Sequence, residues 1–235
     1  MKTKISKRNL YSFATLFLAI SILFSCNEQS RNGEEKIEDE ENIIETQSKS
    51  GKLIIFYGNS LTAGYGLELS QAFPALVQQK IDSAGLPYQV INAGVSGETS
   101  SGGLGRIDWV LQQKPDVFVL ELGANDGLRG IPVSETRKNL QEIINRVKGK
   151  YPDCEIILAG MQIPPNMGKD YTAEFRKIYP ELAKENKIHL IPFLLENVGG
   201  EPELNLEDGI HPNIEGQKIV AENVWEVMYD VISEK

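Results

Sequence analysis

Two histidines and one serine at the end of an apolar run frame the chemistry available to this 235-residue chain. Ser60 lies in residues 52–66, KLIIFYGNSLTAGYG, where a segment of strand type breaks into a Gly-containing turn. A hydroxyl where a buried strand gives way to a helix is exposed on a rigid support and faced by backbone N–H groups. That is a nucleophile's setting, although Gly-Asn-Ser serves as well in an ordinary surface turn. A serine hydroxyl attacks only with a base in hydrogen-bond reach. His189 sits in IHLIPF, which reads as an interior strand with a packed imidazole bonded to backbone. His211 sits in DGIHPN, before the final amphipathic stretch, with Asp208 three residues earlier. One tight turn lets that carboxylate hold one ring nitrogen and leaves the other for Ser60, fixing tautomer and orientation. Pro212 restricts His211 to extended angles and pre-sets the helix start. Taken alone, the Asp208–His211 pair serves equally as a structural cap of that helix. As a metal site it lacks the further histidine ligands such a site needs.

Two more segments follow apolar strands: NAGVSGETS at 92–100 and ELGANDG at 121–127. Ser60, Gly97, Asn125 and His211 then form an ordered Ser, Gly, Asn, His series, which resembles the SGNH (GDSL-type) hydrolase family from about Lys52 onward. The strings ELGANDGLRG, MQIPPNMGKDY and DGIHPN are most similar to its secreted acyl-CoA thioesterase, arylesterase and lysophospholipase branch. The resemblance implies a serine esterase acting on small acyl esters, with no cofactor and no metal. Ser60 would be the nucleophile, His211 the base and Asp208 its orienting carboxylate. The Ser60 and Gly97 N–H groups and the Asn125 amide would form the oxyanion hole. Glycine lets the backbone approach a developing negative oxygen, and an asparagine N–H is neutral at any working pH. In this implied scheme Asp126 has no place and is expected to cap its loop.

One position departs from the family: its usual Gly-Asp-Ser-Leu is here Gly58-Asn59-Ser60-Leu61. Asparagine keeps a carbonyl acceptor, adds a donor and removes one negative charge beside Ser60. The resemblance gives the usual aspartate only a supporting role, so activity is expected to survive. Two other readings share the fold: a carbohydrate acetylesterase on the same apparatus, and a catalytically silent envelope binding protein. A phosphate cradle in GETSSGGLG is rejected, because GKS/GKT and the GxGxxG register are missing.

The elements that must position these residues alternate regularly. Apolar runs at 53–57, 88–92, 117–122, 155–161 and 188–192 read as strands, the first, third and fourth nearly continuous, as in strands buried on both faces. Helical patterns fall at 71–84, 101–112, 134–148, 171–185 and 213–233. Such alternation predicts an α/β protein with a five-stranded parallel sheet covered by helices on both faces, a three-layer α/β/α arrangement; the resemblance implies its flavodoxin-like form, as in SGNH hydrolases. The loops at 59–60, 94–97, 123–126 and 164–169 all follow strand C-termini, the edge where open α/β sheets bind ligands. Cys154, at the opening of a strand, reads as a buried inert thiol.

The ends and composition bound the setting. Lys2, Lys4, Lys7 and Arg8 precede a charge-free stretch from Leu10 to Phe24, the layout of a secretory signal and shorter than a spanning helix needs. Leu23-Phe24-Ser25-Cys26 resembles a bacterial lipobox, so residues 1–25 are expected to be removed and Cys26 acylated. Residues 26–50 carry eight acidic against three basic side chains and read as a disordered tether, with a reach of about 25–30 Å. Residues 51–235 are one domain's worth. The expected localisation is exported, lipid-anchored to the cell envelope. The formal net charge is −9, and more negative once the signal is gone, which argues against a nucleic-acid partner.

Overall fold

The computed structural model describes residues 51–233. The expected signal, the acylated Cys26 and the whole acidic tether lie outside the described residues. Five parallel strands run through the domain: β1 (Lys52–Gly58), β2 (Tyr88–Gly94), β3 (Val117–Glu121), β4 (Glu155–Ala159) and β5 (His189–Ile191). Their order across the sheet is β2-β1-β3-β4-β5. β1, β3 and β4 are covered on both faces and are buried almost throughout, as their unbroken apolar runs require. β2 and β5 are the edges and show mixed burial.

Helices α1 (Ser60–Ala63), α2 (Phe73–Ser83), α3 (Ser100–Val110), α4 (Ala124–Leu128), α5 (Val133–Lys150), α6 (Lys169–Asn186) and α7 (Ile214–Ser233) fill the connections. From β1 the chain crosses to one edge through α2, then reverses and steps to the other edge through α3, α5 and α6. Right-handed crossovers therefore place α2 and the other three helices on opposite faces. The packing agrees: α2 meets α7, while α3 meets α5 and α5 meets α6. The reversal leaves a switch point between β1 and β3, where the loops after the two strands diverge.

Three details differ from the expectation. The element after Ser60 is a single turn, Ser60–Ala63, ended at Gly64, so whatever favours an anion there comes from local N–H groups rather than a helix-long dipole. His189 does not pack inside the sheet. It opens the short edge strand β5, its side chain is 44 % exposed, and Nε2 lies 3.3 Å from Glu155 Oε2. Cys154 is half-buried just before β4 rather than buried in it.

Candidate active site

Ser60 stands at the C-terminal end of β1, and Asn59 caps the turn that follows by accepting the Leu61 N–H at 2.9 Å. His211 comes from the segment between β5 and α7. There Asn205 and Pro212 form an antiparallel bridge, and the Leu206 N–H donates to the His211 carbonyl at 2.8 Å. These bonds close residues 206–211 into a tight loop. Within it, Asp208 Oδ1 accepts the N–H groups of Ile210 and His211, both at 3.0 Å. Its Oδ2 is 2.7 Å from His211 Nδ1, and His211 Nε2 is 2.8 Å from Ser60 Oγ.

The order of donors follows from charge. Burial pushes the Asp208 carboxyl up, but the bonds from the His211 ring and the two N–H groups, with the charge of His211, outweigh it and hold the group below its ordinary value. An ionised Asp208 can only accept, so Nδ1 carries the imidazole proton and Nε2 is left to accept from Ser60. The start of α7 is capped by Asn213, whose Oδ1 accepts from Glu215 and Gly216 at 3.0 and 3.1 Å. Asp208 and His211 are thus committed to each other and to Ser60, not to the helix end.

Gly97 lies in the loop after β2 at φ +78°, a left-handed angle that favours glycine. Asn125 is in the first turn of α4, after β3, and its Nδ2 donates to the Glu98 carbonyl at 3.0 Å. That bond ties the two loops across the switch point. Arg106 of α3 staples the same loop from below: its Nε reaches Glu98 Oε1 at 2.6 Å and an Nη reaches the Ala93 carbonyl at 2.8 Å. Asp126 is fully buried and accepts the Ser100 N–H at 2.8 Å, which anchors the start of α3.

Ser60, Gly97, Asn125 and His211 line one cavity of about 450 Å³. Asn59, Ser96, Gln162 and Asn205 also line it, and its apolar walls include Leu128, Met161, Ile163, Phe193 and Leu195. Tyr65, half exposed, lays its ring over His211 with centroids 4.5 Å apart. Among the described residues no group of three or more His, Cys, Asp or Glu side chains is arranged to hold a metal ion.

The motif spacing singled out none of Tyr65, Arg106 or Glu121. Glu121 ends a fully buried strand and accepts hydrogen bonds from Asn59 and Thr62, on either side of Ser60. The signal for it was present in the sequence: a lone carboxylate within VFVLEL has to be multiply bonded if that strand is buried. Tyr65 and Arg106 carry no comparable signal, because neither is a charge placed in an apolar run that would demand a partner.

Fold and site together define a hydrolase of the serine type. The family model described as "GDSL-like Lipase/Acylhydrolase family" matches residues 56–219. The esterase TesA of Pseudomonas aeruginosa is 38 % identical over 184 residues, an alignment covering 78 % of this chain and 90 % of that protein. The Escherichia coli K12 protein named thioesterase 1/protease 1/lysophospholipase L1 is 38 % identical over 181 residues, covering 77 % and 85 %. The crystal structure of the psychrotrophic esterase EstA from Pseudoalteromonas sp., inhibited by monoethylphosphonate, superposes with a TM-score of 0.73 at 32 % identity, covering 77 % of this chain and 99 % of that one. The chain belongs to the GDSL-like lipase/acylhydrolase family and is a hydrolase of ester bonds.

Proposed function

We propose that Ser60 attacks the carbonyl of an acyl ester whose acyl chain lies along the apolar wall of the cavity. His211 Nε2 takes the hydroxyl proton and passes it to the leaving group, while Asp208 holds Nδ1–H and balances the imidazolium. The tetrahedral oxyanion is met by the N–H groups of Ser60 and Gly97 and by the Asn125 amide. Water then resolves the acyl-enzyme by the same route, with no cofactor.

The observation that carries this reading is the unbroken series from Ser60 Oγ through the His211 ring to Asp208, at 2.8 and 2.7 Å. The wall chemistry bears on the substrate. Each methylene moved from water onto an apolar wall contributes about 0.8 kcal/mol, and an acetyl group would leave most of this wall untouched. That favours longer acyl esters over a carbohydrate acetate. On the same proposal, residues 1–25 direct export, an acylated Cys26 anchors the enzyme to the envelope, and residues 26–50 act as a spacer. Coenzyme A esters are cytosolic, so carboxylic esters and lysophospholipids are the natural substrates of an exported enzyme.

The test is kcat/KM across p-nitrophenyl esters from acetyl to palmitoyl, with fluorophosphonate labelling mapped by peptide mass. A rise over the first several carbons with label on Ser60 is expected. A maximum at acetyl would favour the acetylesterase reading, and an unlabelled folded protein would favour the silent binding protein.

A further inference from the structure

Glu121 closes β3 in register with Gly58, the last residue of β1, and is 1 % exposed. It is not among the residues lining the cavity, yet three donors converge on its carboxylate. The Asn59 N–H reaches Oε2 at 3.1 Å, the Asn59 side-chain amide reaches Oε1 at 2.7 Å, and the Thr62 hydroxyl reaches Oε2 at 2.8 Å. Asn59 and Thr62 flank Ser60, so both sides of the turn that bears the serine are tied to one group. The close approach depends on Gly58: a Cβ there would strike Thr62 Oγ1 and lie 2.5 Å from Glu121 Oε2. A buried carboxylate is expensive to keep, and an apolar residue would end β3 at less cost. Its contribution therefore lies in what it holds.

On the reading of Ser60 as the nucleophile, we infer that Glu121 is a positioning residue whose carboxylate locks the Ser60 turn so that the hydroxyl points to His211. The alternative acceptor is close at hand. Ser60 Oγ is 2.8 Å from His211 Nε2 and 3.4 Å from Asn59 Oδ1, and a slackened turn exchanges the first bond for the second. Asn59 and Glu121 are matched as donor and acceptor. Because Asn59 Oδ1 takes the Leu61 N–H, its NH₂ has to face Glu121, which in turn has to offer an oxygen. This pairing is what Asn59 brings in place of the family's usual aspartate.

The pairing can be broken and then rebuilt in reverse. A glutamine at 121 has one acceptor oxygen, so its NH₂ meets one of the two Asn59 N–H groups whichever way it turns. Thr62 can rotate its hydroxyl to accept; Asn59 cannot. An aspartate at 59 supplies an acceptor for that NH₂ while keeping one for the Leu61 N–H. Full-length wild type, Glu121→Gln, Asn59→Asp and the double variant should therefore be compared on p-nitrophenyl butyrate, with competent sites counted by fluorophosphonate titration. Glu121→Gln is expected to lower kcat per titrated site by about tenfold to hundredfold, with KM within about twofold. Made in the Asn59→Asp background, the same replacement should cost less than about threefold.

A purely structural Glu121 would instead lower the folded fraction and leave kcat per titrated site unchanged, and that result overturns the inference. Equal losses in both backgrounds overturn it too. Where Glu121→Gln alone does not fold, a double variant that folds and turns over supports the pairing, and one no better than the single variant refutes it. Wild-type protein that takes no label at Ser60 would refute the nucleophile assignment instead.

Discussion

Replacing Asn125 by alanine separates a transition-state contact from a loop tie, because its amide has one role in the structure and another in the proposed mechanism. One N–H is engaged with the Glu98 carbonyl at 3.0 Å, and the proposed mechanism directs the other at the oxyanion. The first is a part-buried neutral hydrogen bond, contributing about 0.5–1.5 kcal/mol to stability. In a domain of this size that corresponds to a melting temperature lower by about 1–6 °C. A domain stable by about 5–15 kcal/mol stays almost wholly folded at 25 °C after such a loss, so unfolding cannot account for a large fall in rate. Loss of a single oxyanion donor costs about 2.7–4 kcal/mol in the transition state, or roughly 10²–10³ in kcat. An interaction made only as charge develops lowers kcat and kcat/KM together and leaves KM nearly unchanged. Steady-state kinetics and calorimetry on the same preparation measure both effects. A lower melting temperature with near-normal kcat would reduce Asn125 to a loop tie. A stable, fully active Asn125→Ala enzyme would refute the reasoning altogether.

His211→Gln should abolish turnover, whereas His189→Gln, on an exposed edge strand, should leave kcat near normal; the reverse pattern in folded proteins would overturn the base assignment. Asp208→Asn leaves the loop bonded but favours the wrong imidazole tautomer, and kcat should fall by as much as about 10⁴ without a matching loss of stability. Burial pushes the Glu121 carboxyl from 4.5 up to about 7 against the bonds from Asn59 and Thr62. Its charge in turn reaches the Tyr179 hydroxyl. A folded value raised above the unfolded one gives a contribution to stability that is complete below about pH 4.5 and lost as pH rises through about 7. The stability of wild type relative to Glu121→Gln, from urea unfolding, should thus decline by about 3 kcal/mol across that window. A difference independent of pH would show that Glu121 does not titrate there. Cys26→Ser should release the protein from membrane fractions or block its maturation, and wild-type protein recovered wholly soluble with residues 1–25 attached would remove the anchor from the proposal.

Much of this molecule is written in local pattern. An interior strand of a parallel sheet has to be apolar on both sides, so residues of β1, β3 and β4 announce themselves as unbroken runs, and the helices between them follow from length and period. Right-handed crossovers then fix which face each connecting helix covers once the strand order is known, but the order itself, β2-β1-β3-β4-β5, belongs to the folded chain. Ser60 stands just beyond an apolar run and His211 beside a proline that marks a helix start, whereas Gly97 and Asn125, common turn residues, stand out only through the ordered Ser, Gly, Asn, His series that resembles the family. Asp208 was legible because its partner is three residues away. Only the folded chain decided the rest. His189 belongs to a run as apolar as any other, and its exposure follows from β5 being an edge, which depends on where every other strand lies. The segment DGIHPN reads equally as a helix cap or as part of a charge series until Asn213 is seen to take the cap and Ser60 is brought 2.8 Å from His211. Glu121 is flagged as costly by its neighbours in sequence, but Asn59 and Thr62, the residues that make it tolerable, are some sixty positions away. Hydrophobic burial is set by the spacing of residues along one element, whereas a polar group is defined by partners that only tertiary packing brings within 3 Å of it.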